Sequence, residues 1–400
     1  MLKAVMNRMR RMLSVVWFLL LAVCVRAQEM RVVPWTSTVL EETRTLRIHL
    51  PASFQHEPER RYPVVVCLDG EYLFYSALGA AEVLRVMGQV PEIILVGIDQ
   101  LEKDSLGMPL RWYDCDHDHE TGRLTGKGIL FKRSVEEELL SELESTYRAG
   151  PYKALVGHSF TANCINFFLL DEAPVFRGFG AISPYIPSSL EPRLDTALSR
   201  SATSVRYFLT TGDRDLSGHV PQIRRQDSTL FRPHANAHFQ YRYMEYADAS
   251  HMELTMRAMP DVLRQLFSGY VPLDALDLDS MQRMPFKELD VLLQRKQALH
   301  DDLDIDMPIR EDDLLFASWV AEEQADWNAL ERIGRYTVEQ WPKGIYGHYM
   351  LGMAAEKQGQ LKKALAHYKE GFALIPPDVL NKDDFREDVD RVEGLLKGGR

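Results

Sequence analysis

Between residues 44 and 268 short apolar, β-branched runs alternate with longer stretches whose apolar residues recur at helical spacing. The runs predict strands at 45–50, 62–68, 92–98, 152–156, 178–182, 205–210 and 239–246. The stretches between them predict helices at 72–87, 132–147, 160–170, 190–199 and 252–267. Val64-Val65-Val66 and Ile93-Ile94-Leu95-Val96 are apolar at successive positions, as strands buried on both faces must be. Such a rhythm predicts an α/β fold, a doubly wound and mostly parallel sheet. Around 268–272 the strand signals stop and only helical patterns follow, which sets a domain boundary there.

Within the helical part, residues 347–377 place Leu351, Gly352, Ala354, Gly359, Ala364, Tyr368 and Pro376 at the spacings of a tetratricopeptide helix pair. Small residues stand where two helices would cross, and a large one stands in the groove. A degenerate second copy precedes it, with Trp341-Pro342 lying 34 residues before Ile375-Pro376. The bland alternative is an ordinary helical hairpin.

The amino terminus changes the picture first. Lys3, Arg8, Arg10 and Arg11 precede an apolar run of 13 residues, Leu13 to Val25, and Val25-Arg26-Ala27 resembles a cleavage site before Gln28. Thirteen residues fall short of the roughly 20 needed to span a bilayer, so a cleaved signal peptide and a periplasmic or secreted protein are expected. A lipid attachment at Cys24 is disfavoured by Val23, where a small residue is needed. The expected domains are therefore 1–27 signal peptide, 28–270 sheet domain and 271–400 helical domain.

Charge and cysteine content exclude several classes. The formal net charge of the 400 residues is −11, and losing residues 1–27 would remove five positive charges and no negative ones. So acidic a chain lacks the Lys/Arg excess that nucleic-acid binding requires and is unsuited to anionic lipid surfaces. Its four cysteines, Cys24, Cys67, Cys115 and Cys164, fit neither a disulfide framework nor a paired-cysteine zinc site. Free thiols are expected.

The strongest chemical signal is Val156-Gly157-His158-Ser159-Phe160, between a predicted strand and a predicted helix. A sharp turn there lifts a serine hydroxyl clear of the sheet, and the helix amino terminus favours developing negative charge. The usual pattern is Gly-x-Ser-x-Gly, and Thr161 stands at its last position. In a sheet of this type the acid and the histidine follow the nucleophile in that order, each after a later strand. The run 205–210 leads into Gly212-Asp213-Arg214-Asp215, and the run 239–246 into Ala249-Ser250-His251. Ser159 is thus the candidate nucleophile and His251 the candidate base, while His219, His234 and His238 fall in a polar connection. Asp213 and Asp215 compete for the acid, with Asp215 better placed to swing toward the histidine loop. The amides of Phe160 and Glu71, the latter after the turn Asp69-Gly70, are candidate oxyanion donors.

These segments, with Tyr62–Gly70, Val96-Gly97-Ile98 and Tyr152–Phe160, resemble the putative esterase family of α/β-hydrolases, which includes enterochelin esterase-like, esterase D-like and feruloyl or acetyl xylan esterase-like enzymes. The resemblance covers roughly residues 35–270. It implies Ser159, His251 and Asp215 as the triad and Glu71 and Phe160 as oxyanion donors. Arg111-Trp112-Tyr113-Asp114-Cys115-Asp116 follows the family's Arg-x-x-Asp-x-Thr-Pro segment only in part. Arg111, Trp112 and Tyr113 are expected to line the substrate pocket. The following loop, His117-Asp118-His119-Glu120, has metal-ligating residue types, yet a solvated loop is the expectation, and no metal or cofactor is required by this chemistry.

An exported serine esterase acting on a small-molecule or glycan ester is therefore expected, with acyl groups on carbohydrate or a siderophore-type ester as substrate. Stable membrane insertion is not expected, and a protein partner is assigned to the tetratricopeptide-like tail. The competing reading is a catalytically weak hydrolase-like scaffold that serves this tail. Acyl transfer would use the same residues.

Overall fold

The computed structural model describes residues 30–200, 203–270, 272, 288–375 and 382–398. The predicted signal peptide lies outside them. Among the described residues there are ten strands: β1 (Met30–Ser37), β2 (Glu42–His49), β3 (Tyr62–Cys67), β4 (Ile94–Ile98), β5 (His117–Asp118), β6 (Arg123–Leu124), β7 (Ala149–His158), β8 (Gly178–Ile182), β9 (Val205–Arg214) and β10 (Phe239–Ser250). Eight of them form one sheet in the order β1-β2-β4-β3-β7-β8-β9-β10, and β5 and β6 form a separate hairpin. The pairs β1–β2 and β2–β4 are antiparallel, and from β4 through β10 every pair is parallel. The central strands are buried along their whole length because helices such as Gly70–Val86, Phe160–Leu169 and Met259–Leu266 cover the sheet.

The strand β1 was not predicted. Its exposure alternates and it contains Pro34, which blurs a strand pattern; at the sheet edge a missing N–H costs no ladder bond. Two predicted strands also run further than their apolar cores. The last polar residues of β9 and β10 stay in the sheet, where Ser250 pairs with Arg214 after a register shift.

Two compact units divide the chain, and the cut is not a single one. The sheet unit takes in Leu299–Asp306 as well as the chain up to residue 270. In that segment Leu303 is buried, and the Asp302 carboxylate accepts from Ser204 Oγ at 2.6 Å, from Gln240 Nε2 at 3.1 Å and from the buried guanidinium of Arg206. These partners lie at the amino ends of β9 and β10. The helical unit is built from Glu311–Glu323, Trp327–Gln340, Tyr346–Lys357, Leu361–Leu374 and Lys382–Gly398, with the first part of Glu288–Leu303. A Cβ on Gly352 would meet the ring of buried Tyr368 at 2.6 Å, so these two helices approach closely only because the residue is glycine. Among the described residues no helix is long and apolar enough to cross a membrane.

Candidate active site

Parallel register brings the candidate residues together. His158, the last residue of β7, pairs with Ile182, the last of β8, so Ser159 and Ser183 are the next residues on neighbouring strands. In the same way the Arg214–Ser250 pair makes Asp215 and His251 the next residues after β9 and β10. All four stand at the carboxyl ends of the strands, where open α/β sheets place their ligands.

Ser159 has φ 58° and ψ −117°, a conformation L-residues rarely adopt, and its amide donates to Ile182 O at 2.8 Å. The strained turn fits because Gly157 precedes it: a Cβ there would lie 2.5 Å from Thr161 O. Thr161, at the family's glycine position, is fully buried. Its hydroxyl accepts from His158 N at 3.0 Å and donates to Asp69 Oδ2 at 2.9 Å. The departure from the usual motif therefore adds a tie between the serine turn and the turn after β3.

His251 Nδ1 donates to Asp215 Oδ1 at 2.7 Å. Asp215 also accepts from Ser183 Oγ at 2.6 Å, Thr211 Oγ1 at 2.8 Å and Leu216 N at 2.7 Å. Burial alone would raise its pKa, but these donors outweigh it and hold the carboxyl well below the ordinary value. Asp213 is exposed and has no part in this cluster. With Nδ1 donating to Asp215, neutral His251 has its free lone pair on Nε2, the tautomer a general base needs.

Several residues join the site that sequence reasoning missed. His158, the middle residue of the Gly-x-Ser turn, is buried; its Nε2 donates to His251 O at 3.0 Å, and the two rings lie 4.5 Å apart. Because a carbonyl only accepts, Nε2 carries the proton and Nδ1 accepts from Tyr72 OH at 2.9 Å. Burial, then the neighbouring His251, pushes His158 down to about 3, so it stays neutral. Tyr72 also donates to Asp69 Oδ2 at 3.0 Å, sharing one proton between two acceptors. Asp69 is fully buried, and despite Arg111 at 3.2 Å burial pushes its carboxyl up to about 6. His219, expected in a polar connection, instead opens the helix His219–Gln226 and stands edge-on to His251 with ring centroids 5.2 Å apart. Its Nδ1 lies 3.1 Å from Ser183 Oγ. The buried side of that helix rests on only Ile223 and Gln226, too few apolar positions to show as a period.

Glu71 and Phe160 occupy the first turns of Gly70–Val86 and Phe160–Leu169, where helix amides have no preceding carbonyl to bond. Arg111 pairs with Asp69 and reaches His158 O at 3.4 Å. Trp112 is half-exposed and packs on the Phe160 ring at 4.8 Å. Tyr113 turns elsewhere, donating to Asp104 Oδ2 at 2.8 Å. In the loop beyond, His117 is buried with its Nδ1 donating to Cys115 O at 3.1 Å, and Asp118 is occupied by Thr121. Cys67, Cys115 and Cys164 are buried free thiols. Asp215, His219 and His251 have ligand atoms close enough to share a cation, yet four donors already serve Asp215.

Known proteins agree with this architecture. A crystal structure of an uncharacterised protein from Capnocytophaga ochracea DSM 7271 is similar with TM-score 0.69 at 18% identity, over 92% of this chain and 100% of that one. An IroE-like serine hydrolase from Shewanella oneidensis is similar with TM-score 0.57 at 21% identity, over 74% and 95%. The BES protein from Bacillus cereus follows with TM-score 0.52 at 20% identity, over 59% and 94%. At these identities the likeness is one of fold. No curated protein matches the chain. Residues 37–255, more than half of the chain, match the model of the putative esterase family. The chain belongs to the putative esterase family of α/β-hydrolases and is a carboxylic ester hydrolase.

Proposed function

We propose that Ser159, His251 and Asp215 form the catalytic triad of an exported serine esterase. The observation that carries this reading is the 2.7 Å bond from His251 Nδ1 to buried Asp215, linked through His158 to the strained Ser159 turn, with all three residues at the carboxyl ends of strands of one sheet. In the proposed cycle Ser159 Oγ attacks the ester carbonyl and passes its proton to His251 Nε2, while the amides of Glu71 and Phe160 hold the oxyanion. The imidazolium then protonates the departing alcohol. Water, deprotonated by His251, attacks the acyl-enzyme and releases the acid with Ser159 restored.

The exposed face of Trp112 on Phe160 supplies an apolar wall for the substrate. Arg111 acts on the site through Asp69 and the His158 carbonyl. A small-molecule ester is the substrate class, with acyl groups on carbohydrate or a siderophore-type ester as the narrower choices. Residues 1–27 direct the chain to the periplasm or beyond, and the tetratricopeptide-like helices offer a surface for a protein partner. Thr161 in place of the motif's last glycine would favour the scaffold alternative, but its two hydrogen bonds support a sound turn without glycine.

The test is fluorophosphonate labelling together with short-chain aryl ester hydrolysis, on the wild type beside Ser159→Ala. Labelling and turnover should both vanish in the variant. An inert wild type would reject the triad in favour of the scaffold.

A further inference from the structure

The helical unit holds a cluster that ester hydrolysis does not use. His348 lies on the helix Tyr346–Lys357, and His367 and Glu370 lie on the next helix, Leu361–Leu374. A spacing of three residues puts His367 and Glu370 on one helix face. Glu370 Oε2 stands 3.2 Å from Nδ1 of His348 and 3.5 Å from Nδ1 of His367. The three ligand atoms all lie within 4.8 Å of one another. Both Nδ1 atoms are buried, and neither has a hydrogen-bond partner, so the nearby carboxylate oxygen is not aligned with either N–H. A buried polar atom left unpaired is uncommon and costly. Here two of them converge on one carboxylate.

We propose that His348, His367 and Glu370 bind a divalent first-row transition-metal ion, with Zn²⁺ the ion this donor set suits best. Two imidazole nitrogens and one carboxylate oxygen are zinc's preferred ligand types. Zinc bonds of about 2.0–2.1 Å in tetrahedral geometry place neighbouring ligand atoms roughly 3.3–3.5 Å apart, close to the spacing of Glu370 from both imidazoles. The two imidazole ring centroids lie 5.8 Å apart with their planes at 42°. Lys363, on the same helix as His367, is paired with Glu331 at 2.7 Å. Glu370 is mostly exposed, which leaves a fourth position to water. The ion would tie two successive helices together in a unit separate from the esterase site.

The full chain, stripped with EDTA and dialysed, is titrated with ZnCl₂ against a chromophoric zinc indicator. The same titration is run on His348→Ala, Glu370→Gln and His251→Ala. The wild type should take up a tight zinc equivalent that His348→Ala weakens at least ~100-fold and Glu370→Gln at least ~10-fold. His251→Ala should leave that equivalent intact. Glu370 is a surface residue, so its variant reports binding even if His348→Ala disturbs packing. Co²⁺ in place of zinc should give the visible absorption of a tetrahedral centre, lost in both helical-unit variants. A wild type that binds no zinc, zinc uptake unchanged in both variants, or uptake that follows His251 instead would each overturn the site.

Discussion

His158 Nε2 donates to the backbone carbonyl of His251 across 3.0 Å, so the residue beside the candidate nucleophile holds the loop of the candidate base. Tyr72 and Asp69 continue the chain behind it. His158 is a positioning residue in this reading, acting through His251. His158→Ala should lower kcat by ~10- to 100-fold with little change in KM, since the base is displaced while the pocket persists. It should also cost about 1–3 kcal/mol of stability through the donors and acceptors left unpaired. His158→Gln, which keeps an N–H donor, should recover part of kcat. Steady-state kinetics with both variants would contradict this if KM alone rose or Gln rescued nothing.

Asp213 and Asp215 stand two residues apart, and only Asp215 touches His251. Asp215→Asn should cut kcat by ~10⁴-fold, because the amide no longer selects the Nδ1–H tautomer. Asp213→Asn should stay within about twofold of wild type. Because the folded carboxyl titrates below its ordinary value, the stability it contributes is present above about pH 4 and is lost only as pH falls further. Equal losses in the two variants would remove Asp215 from its proposed role.

Asp69 titrates the other way. Burial raises its folded value to about 6, so protonation favours the folded state. The associated stability is full below about pH 4 and is lost as pH rises through about 6, up to about 3 kcal/mol. Relative to wild type, Asp69→Asn should therefore gain stability across that window. Urea unfolding at pH 4, 5, 6 and 7 measures the difference, and a flat difference would contradict the assigned shift.

Thr161→Val preserves the shape of the side chain and removes only its hydroxyl. His158 N and one Asp69 oxygen then lose a partner in a dry interior. A loss of about 1–3 kcal/mol in chemical denaturation is expected. Thr161→Gly, which restores the family's residue, should lose a similar amount, and an unchanged midpoint in both would show the hydroxyl to be idle.

Asp302 carries the last expectation. Its carboxylate faces the buried Arg206 guanidinium at the amino ends of β9 and β10. Asp302→Ala leaves that charge without its carboxylate and should destabilise the sheet unit by about 3 kcal/mol, read by urea unfolding. A change under ~0.5 kcal/mol would mean that the segment 299–306 adds nothing to the sheet.

Periodicity alone was enough for the mostly parallel sheet, because strands buried on both faces must be written as continuous apolar runs. Gly178–Ile182 was legible to the residue for that reason, and Gly157 and Ser159 were legible because the turn they make tolerates few residue types. Chain order then placed Asp215 and His251 on later loops. What order leaves undetermined is register, and register decided the rest. Only the pairing of Arg214 with Ser250, and of His158 with Ile182, brings Ser159, Ser183, Asp215 and His251 to one edge. The partners that hold them, Ser183, His219, Tyr72 and Asp69, belong to residue types found anywhere, and become partners through sheet order and a shared dry environment. The same holds for His348, His367 and Glu370, whose spacing in the chain carries no metal-binding pattern until two helices pack side by side.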